Sequence, residues 1–164
     1  AALGDGTRFG VRIQYSAEAA ALETAGGIAQ ALPLLGAGPF AAINADLHTD
    51  YPFGALRTAL RGNELAHLVL VDNPPQHPRG DFGLAAGKVQ AAAAIRHTFS
   101  GMGAYHPALF AGIKRGDRAR LADVLIAAMS REQATGELNR GQWHDVGTPE
   151  RLAALDQAAR KARL

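Results

Sequence analysis

Apolar and polar positions along this chain switch repeatedly between two periods. Residues 11–15 alternate, the two-residue period of a half-buried strand. Residues 24–35 follow a helical period, opened by Gly26 and Gly27. Residues 40–44 (FAAIN) and 66–71 (AHLVLV) are short continuous apolar runs, the pattern of strands buried on both faces. A helical pattern at 53–60 lies between them. Pro74, Pro75 and Pro78 then break regular structure. Residues 82–84 and 88–90, around Gly87, predict a small hairpin. Residues 97–105 predict a strand carrying Ser100 and Gly101, and 121–129 a helix. Residues 142–146 predict a strand and 148–162 a closing helix, with Thr148 as N-cap and Pro149 in the first helical position. Residues 1–6 read as the tail of a helix entering a glycine turn.

Buried strands spaced by helices predict an α/β fold: a Rossmann-like, mostly parallel (mixed) sheet flanked by helices. The proline-rich stretch and the hairpin read as an insertion that brings antiparallel strands. No repeat, low-complexity tract or linker divides the chain, so 1–164 reads as a single domain. A chain that is 48% hydrophobic and 20% charged has the composition of a globular protein. The net charge is only +2 and the arginines are scattered, which gives no basic face for nucleic acid. The absence of cysteine removes disulfides and thiolate metal sites. The apolar runs are too short to cross a bilayer, and no basic segment followed by an apolar stretch opens the chain. The expectation is a cytoplasmic protein with no nucleic-acid or membrane partner, a monomer or weak homodimer.

In an open α/β sheet, ligands bind beyond the carboxyl ends of the strands. Two acidic residues fall at such ends. Asp46 follows the run ending at Asn44, and Asp145 sits in WHDVG just before the closing helix. A carboxylate pair, completed by waters and phosphate oxygens, is a common way to hold Mg²⁺. Either aspartate could instead cap a turn or helix, and sequence alone does not show that they meet. The glycines after Glu23 and Thr24 open a helix. There they either expose N–H groups to an anion or a base edge, or let the helix pack tightly on the sheet. Arg79-Gly80-Asp81-Phe82 reads as a surface turn. Gly101 within a strand marks a bulge or a ligand close to the backbone. The six histidines show no pair at metal-ligand spacing, and no serine lies in a nucleophile elbow. Trp143 reads as core. The closing helix, with Arg151, Arg160, Lys161 and Arg163, reads as a solvated amphipathic helix.

Taken in order, LETAGGI at 22–28, NAD at 44–46, GDF at 80–82, FSGM at 99–102 and WHDVGT at 143–148 resemble the sugar-1-phosphate nucleotidyltransferases. The nearest likeness is to the uridylyltransferase branch of bacterial cell-wall recycling, which the stretches at 3–10, 67–74 and 106–110 also resemble. The likeness spans essentially the whole chain. It implies an enzyme that joins UTP to a sugar 1-phosphate with release of pyrophosphate and with Mg²⁺ as cofactor. Asp46 and Asp145 would hold the metal. Asn44, Thr24, Gly26 and Gly27 would meet the nucleotide. Asp81, Phe82, Ser100, Gly101 and Glu23, with Asp145, would meet the sugar. Ala45 stands where glycine is common in the family. The family's opening strand, glycine-rich triphosphate loop and following Pro-Lys have no counterpart here. That implies a chain lacking about two βα units, on the order of 60 residues. A hexose-1-phosphate uridylyl- or guanylyltransferase, or a non-catalytic nucleotide-sugar-binding relative, remains the alternative.

Overall fold

Two strands buried on both faces organise the fold. In the computed structural model, residues 2–161 are described. Ala1 of the expected helix tail, and Ala162 and Arg163 of the closing helix, lie outside the described residues. The strands are β1 (Phe40–Ile43), β2 (Leu47–Thr49), β3 (Ala66–Val71), β4 (Gly83–Ala85), β5 (Lys88–Gln90), β6 (Thr98–Tyr105), β7 (Ala134–Asn139) and β8 (Trp143–Asp145). The helices are α1 (Glu23–Leu35), α2 (Leu121–Met129) and α3 (Pro149–Lys161), with 3-10 helices at Thr7–Phe9, Phe53–Thr58 and Pro107–Phe110. The main sheet has the order β1-β6-β3-β7-β5-β4, and β2 and β8 form a separate two-stranded ribbon.

Each face of β3 meets its own cluster. Leu68 and Leu70 pack with Tyr105, Phe110, Leu125 and Ala25, beneath α1 and α2. Val69 packs on the opposite side with Met102, Ala104, Tyr51 and Leu56. That two-sided burial explains why 66–71 reads as an unbroken apolar run.

The expectation of a mostly parallel sheet is corrected by the pairing. Among the described residues only β3 and β7 run parallel, and every other pair in the sheet is antiparallel. A parallel neighbour needs a crossover, and here α2 leads into β7 beside β3. No helix separates β3 from β6; the chain returns through the hairpin, and β6 inserts antiparallel between β1 and β3. Double burial therefore does not distinguish strand direction when helices cover an antiparallel sheet as well.

Other elements differ more locally. Residues 11–15 form no strand: among the described residues no strand pairs with them, their bonds run to the turn at Gly4, Asp5 and Gly6, and Val11 and Tyr15 are exposed. Residues 2–5 are turn rather than helix tail. The pattern at 53–60 becomes a 3-10 helix over Phe53–Thr58. β7 was not foreseen: ATGELN carries a glycine and three polar residues. Gly136 has a physical reason, since a Cβ there would lie 2.7 Å from the Leu68 carbonyl of β3. The Thr148 cap forms as expected, its hydroxyl accepting from the Arg151 N–H at 3.3 Å.

Beside β3 and β7, His67 Nδ1 lies 3.0 Å from Thr135 Oγ1, and its Nε2 lies 3.8 Å from Glu137. Tyr51 donates its hydroxyl to the same glutamate. Burial holds the His67 pKa below its ordinary 6.5, against the opposing pull of Glu137 and Glu64. The folded state thus takes up this proton less readily than the unfolded chain. Stability is intact above the ordinary pKa and is lost as pH falls through the lower folded value. His67→Gln should remove that loss. Urea midpoints from about pH 7.5 to about pH 5.5 should fall more steeply for the natural protein than for the variant. Parallel pH profiles would contradict the assignment.

Candidate active site

A bulge in β6 builds the floor of the site. Pairing with β3 steps from Val69↔Met102 directly to Leu70↔Phe99, which leaves Ser100 and Gly101 as extra residues. Gly101 takes φ +80°, a conformation that suits glycine. The bulge turns its polar groups toward Val69, Met102, Trp143 and Asn44. Ser100 Oγ donates to the Val69 carbonyl at 2.6 Å and accepts from the Met102 N–H at 3.2 Å. Trp143 Nε1 donates to the Ser100 carbonyl at 3.0 Å. The Asn44 N–H, just beyond β1, donates to the Gly101 carbonyl at 2.9 Å. The Asn44 side chain packs against Gly101, where a Cβ would stand 2.7 Å from Nδ2.

From Asn44 the chain passes Asp46 into β2, which pairs with β8 so that Leu47 faces Asp145. The Val146 N–H donates to the Asp46 carbonyl at 2.9 Å and closes the end of the ribbon. The two aspartates distant in sequence thereby become neighbours. A Cβ added at Gly147 would lie 2.7 Å from Asp46 Oδ2 and 3.0 Å from Asp145 Oδ1. Both carboxylates thus border one small space that only glycine leaves open. Asp145 Oδ1 also accepts from the Gly147 N–H at 2.8 Å and pairs with Arg151 Nη2 at 3.1 Å.

This arrangement suits a hard divalent cation that keeps several ligand positions for substrate oxygens and water. Among the described residues, no group of three His, Cys, Asp or Glu side chains could hold a metal unaided. Two carboxylates could supply part of such a coordination set, with phosphate oxygens and water supplying the rest.

A cleft of about 260 Å³ runs from Asn44 and Asp46 past Gly101 to Trp143 and Asp145. Its opposite wall includes Pro74, Gln76 and His77. Sequence reasoning did not select these three, or Trp143 as part of a site. The signal for Trp143 was its place two residues before Asp145 on one strand, which puts both side chains on one face.

The remaining expected residues fall elsewhere or act through neighbours. Ser100 borders the cleft, but its hydroxyl is buried and occupied by β3 and β6 backbone. The Asp81 carboxylate accepts from the Phe99 N–H at 2.8 Å and lies 3.0 Å from His77 Nε2. It supports two residues that line the cleft and is not among the lining itself. Phe82 is buried in the main core. Glu23, Thr24, Gly26 and Gly27 are not brought to the cleft. The Ala25 and Gly26 N–H groups donate to the Ala119 carbonyl at 3.0 and 3.2 Å, and a Cβ on Gly26 would meet the Asp117 carbonyl at 2.3 Å. Glu23 pairs with Arg118 at 2.6 Å. Gly26 thus packs tightly on the 117–119 loop, and a Cβ on Gly27 would meet the Glu18 carboxylate at 2.6 Å. Arg151, expected to be solvated, is instead partly buried against Asp145.

Two known proteins are similar to this chain. The chain is 49% identical over 158 residues to the N-acetylmuramate alpha-1-phosphate uridylyltransferase of Neisseria meningitidis serogroup B (strain ATCC BAA-335 / MC58), spanning 92% of this chain and 68% of that protein. No family model matches the chain. A crystal structure described as a glucose-1-phosphate thymidylyltransferase from Bacillus anthracis, in complex with a sucrose, matches with a TM-score of 0.77. That match covers 96% of this chain and 69% of the other at 20% identity, a likeness of fold.

Gly101→Ala should destabilise the protein by about 1–2 kcal/mol from the left-handed backbone alone, with more from the crowded Asn44 amide. Urea unfolding measures this, and an unchanged midpoint would contradict the role of the bulge.

Proposed function

The chain belongs to the sugar-1-phosphate nucleotidyltransferases, and we propose that it joins UTP to N-acetylmuramate 1-phosphate, giving UDP-N-acetylmuramate and pyrophosphate. The observation that carries this reading is the convergence of Asp46 and Asp145 at the space kept open by Gly147. The choice of substrates follows the relative at 49% identity, whose name specifies that sugar phosphate and a uridylyl group.

Asp46 and Asp145 would hold Mg²⁺. The ion would supply positive charge to the phosphate oxygens and help to align the two substrates. An oxygen of the sugar phosphate forms the new bond to the α-phosphorus of UTP. The bond from that phosphorus to the bridging oxygen breaks, and pyrophosphate leaves with the electron pair. The sugar phosphate is itself the nucleophile, so no covalent intermediate with a side chain is needed. The protein's contribution is alignment and charge neutralisation. Asn44, held on Gly101, presents an amide beside the carboxylates. Trp143, tied to the Ser100 carbonyl, walls the cleft on one side. Asp81 holds His77 and the Phe99 backbone at the other end.

Asp46→Asn and Asp145→Asn in the full-length protein should each lower Mg²⁺-dependent pyrophosphate release by about a hundredfold or more while the fold is kept. Near-normal turnover by either variant would remove the metal assignment. In a panel with UTP, dTTP and GTP against N-acetylmuramate, glucose and mannose 1-phosphates, UTP with N-acetylmuramate 1-phosphate should give the highest kcat/KM. Preference for a hexose 1-phosphate would overturn the proposed substrate.

A further inference from the structure

Arg151 has an unusual position for a residue of an outer helix. It is the third residue of α3, and the Thr148 cap holds its N–H at the helix start. Its guanidinium reaches back to Asp145, with Nη2 3.1 Å from Oδ1. The same Nη2 lies 3.3 Å from where a Cβ on Gly147 would stand, at the edge of the space between the two carboxylates. Its Nε is buried and has no hydrogen-bond partner among the described residues. A guanidinium carries five N–H donors in a flat fork. Here one carboxylate oxygen accepts from it.

The charge of the neighbourhood gives this placement a use. Among the described residues, none lining the cleft from Asn44 to Trp143 is Lys or Arg. A second cleft of about 450 Å³ adjoins it, sharing Pro74, Gln76, Trp143 and Asp145, and Arg151 is the cation in its wall. A sugar 1-phosphate would bring a phosphate dianion to a place that already holds two carboxylates. One divalent cation offsets only part of that negative charge. A half-buried guanidinium with donors to spare matches phosphate oxygens, and water screens it less than it would screen an exposed lysine.

We propose that Arg151 is the residue that receives the phosphate of the sugar 1-phosphate, using N–H groups that its pairing with Asp145 does not occupy. This rests on the nucleotidyltransferase reading of the same site. Arg151 then has two roles. It offsets the charge of Asp145 before substrate arrives, and it binds the sugar phosphate beside the metal carboxylates afterwards. It neither gives nor takes a proton. Its effect lies in binding and orientation.

The test is equilibrium binding to the full-length protein without metal, in EDTA, by calorimetry. N-acetylmuramate 1-phosphate and, separately, UTP are titrated into the natural protein, Arg151→Gln and Arg151→Lys. Arg151→Gln should weaken sugar-phosphate binding about tenfold or more, the scale of one charged hydrogen-bonded contact. Arg151→Lys should fall between, because it keeps the charge and loses the fork. UTP affinity should change by less than about twofold, and circular dichroism should show all three proteins folded. Sugar-phosphate binding by Arg151→Gln equal to that of the natural protein would overturn the proposal, as would an equal loss of affinity for UTP. If Arg151→Gln does not fold, binding by Arg151→Lys equal to the natural protein overturns it instead. When the natural protein binds the sugar phosphate and releases pyrophosphate, such a result removes Arg151 alone. A natural protein that takes up no sugar phosphate removes the substrate reading and this assignment together.

Discussion

The site depends on one irregularity, the two extra residues in β6. A regular strand would pair residue for residue with β3 and have no backbone groups to spare. The bulge at Ser100 and Gly101 frees two carbonyls, one for Asn44 after β1 and one for the Trp143 indole on β8. The first extends the β1–β6 pairing to the residue before Ala45 and Asp46, and the second joins the main sheet to the β2–β8 ribbon, which carries Asp145 beside Asp46. The Ser100 hydroxyl satisfies the backbone that the bulge disturbs. Leaving a buried carbonyl or N–H unpaired would cost about 1–3 kcal/mol, so this closure has an energetic as well as a geometric role.

A second constraint is electrostatic. Two carboxylates bordering one space repel each other, and a pair of this kind persists when nearby positive charge or donors offset it. In this chain Gly147 donates its N–H and Arg151 its guanidinium to Asp145. Asp46 is held by its backbone, through the Val146 N–H, and its carboxylate oxygen Oδ2 faces the gap. The centre is thus formed by the protein yet still short of positive charge and of ligands. That is a suitable state for a site whose substrates carry phosphates and travel with a divalent ion.

Much of this was legible in the sequence, and the failures have physical causes. Strand ends bearing Asp46 and Asp145, the Gly101 irregularity and the Thr148 cap all follow from local rules and are found where those rules place them. Strand direction was not legible, because AHLVLV reports burial on two faces and says nothing of which neighbour lies alongside. β7 was hidden by Gly136, whose lack of a side chain answers a close carbonyl on β3. The glycines at 26 and 27 suit a ligand and a tight helix contact equally; the loop through Asp117 and Ala119 crowds Gly26, and the Glu18 carboxylate lies against Gly27. Ser100 borders the cleft and Asp81 lies behind its lining, and their polar atoms hold backbone and His77. Arg151 looked solvated because its helix is polar. Its link to Asp145 comes from the cap at Thr148, which turns the first helical turn back over β8.

The most direct test of the account is where a metal binds. Crystals of the full-length protein grown with UDP-N-acetylmuramate and Mn²⁺ would give an anomalous signal for the ion. The account predicts one peak bonded to both Asp46 and Asp145, beside Gly147, and to phosphate oxygens. A peak that touches neither aspartate, or one bound at another set of side chains, would contradict it.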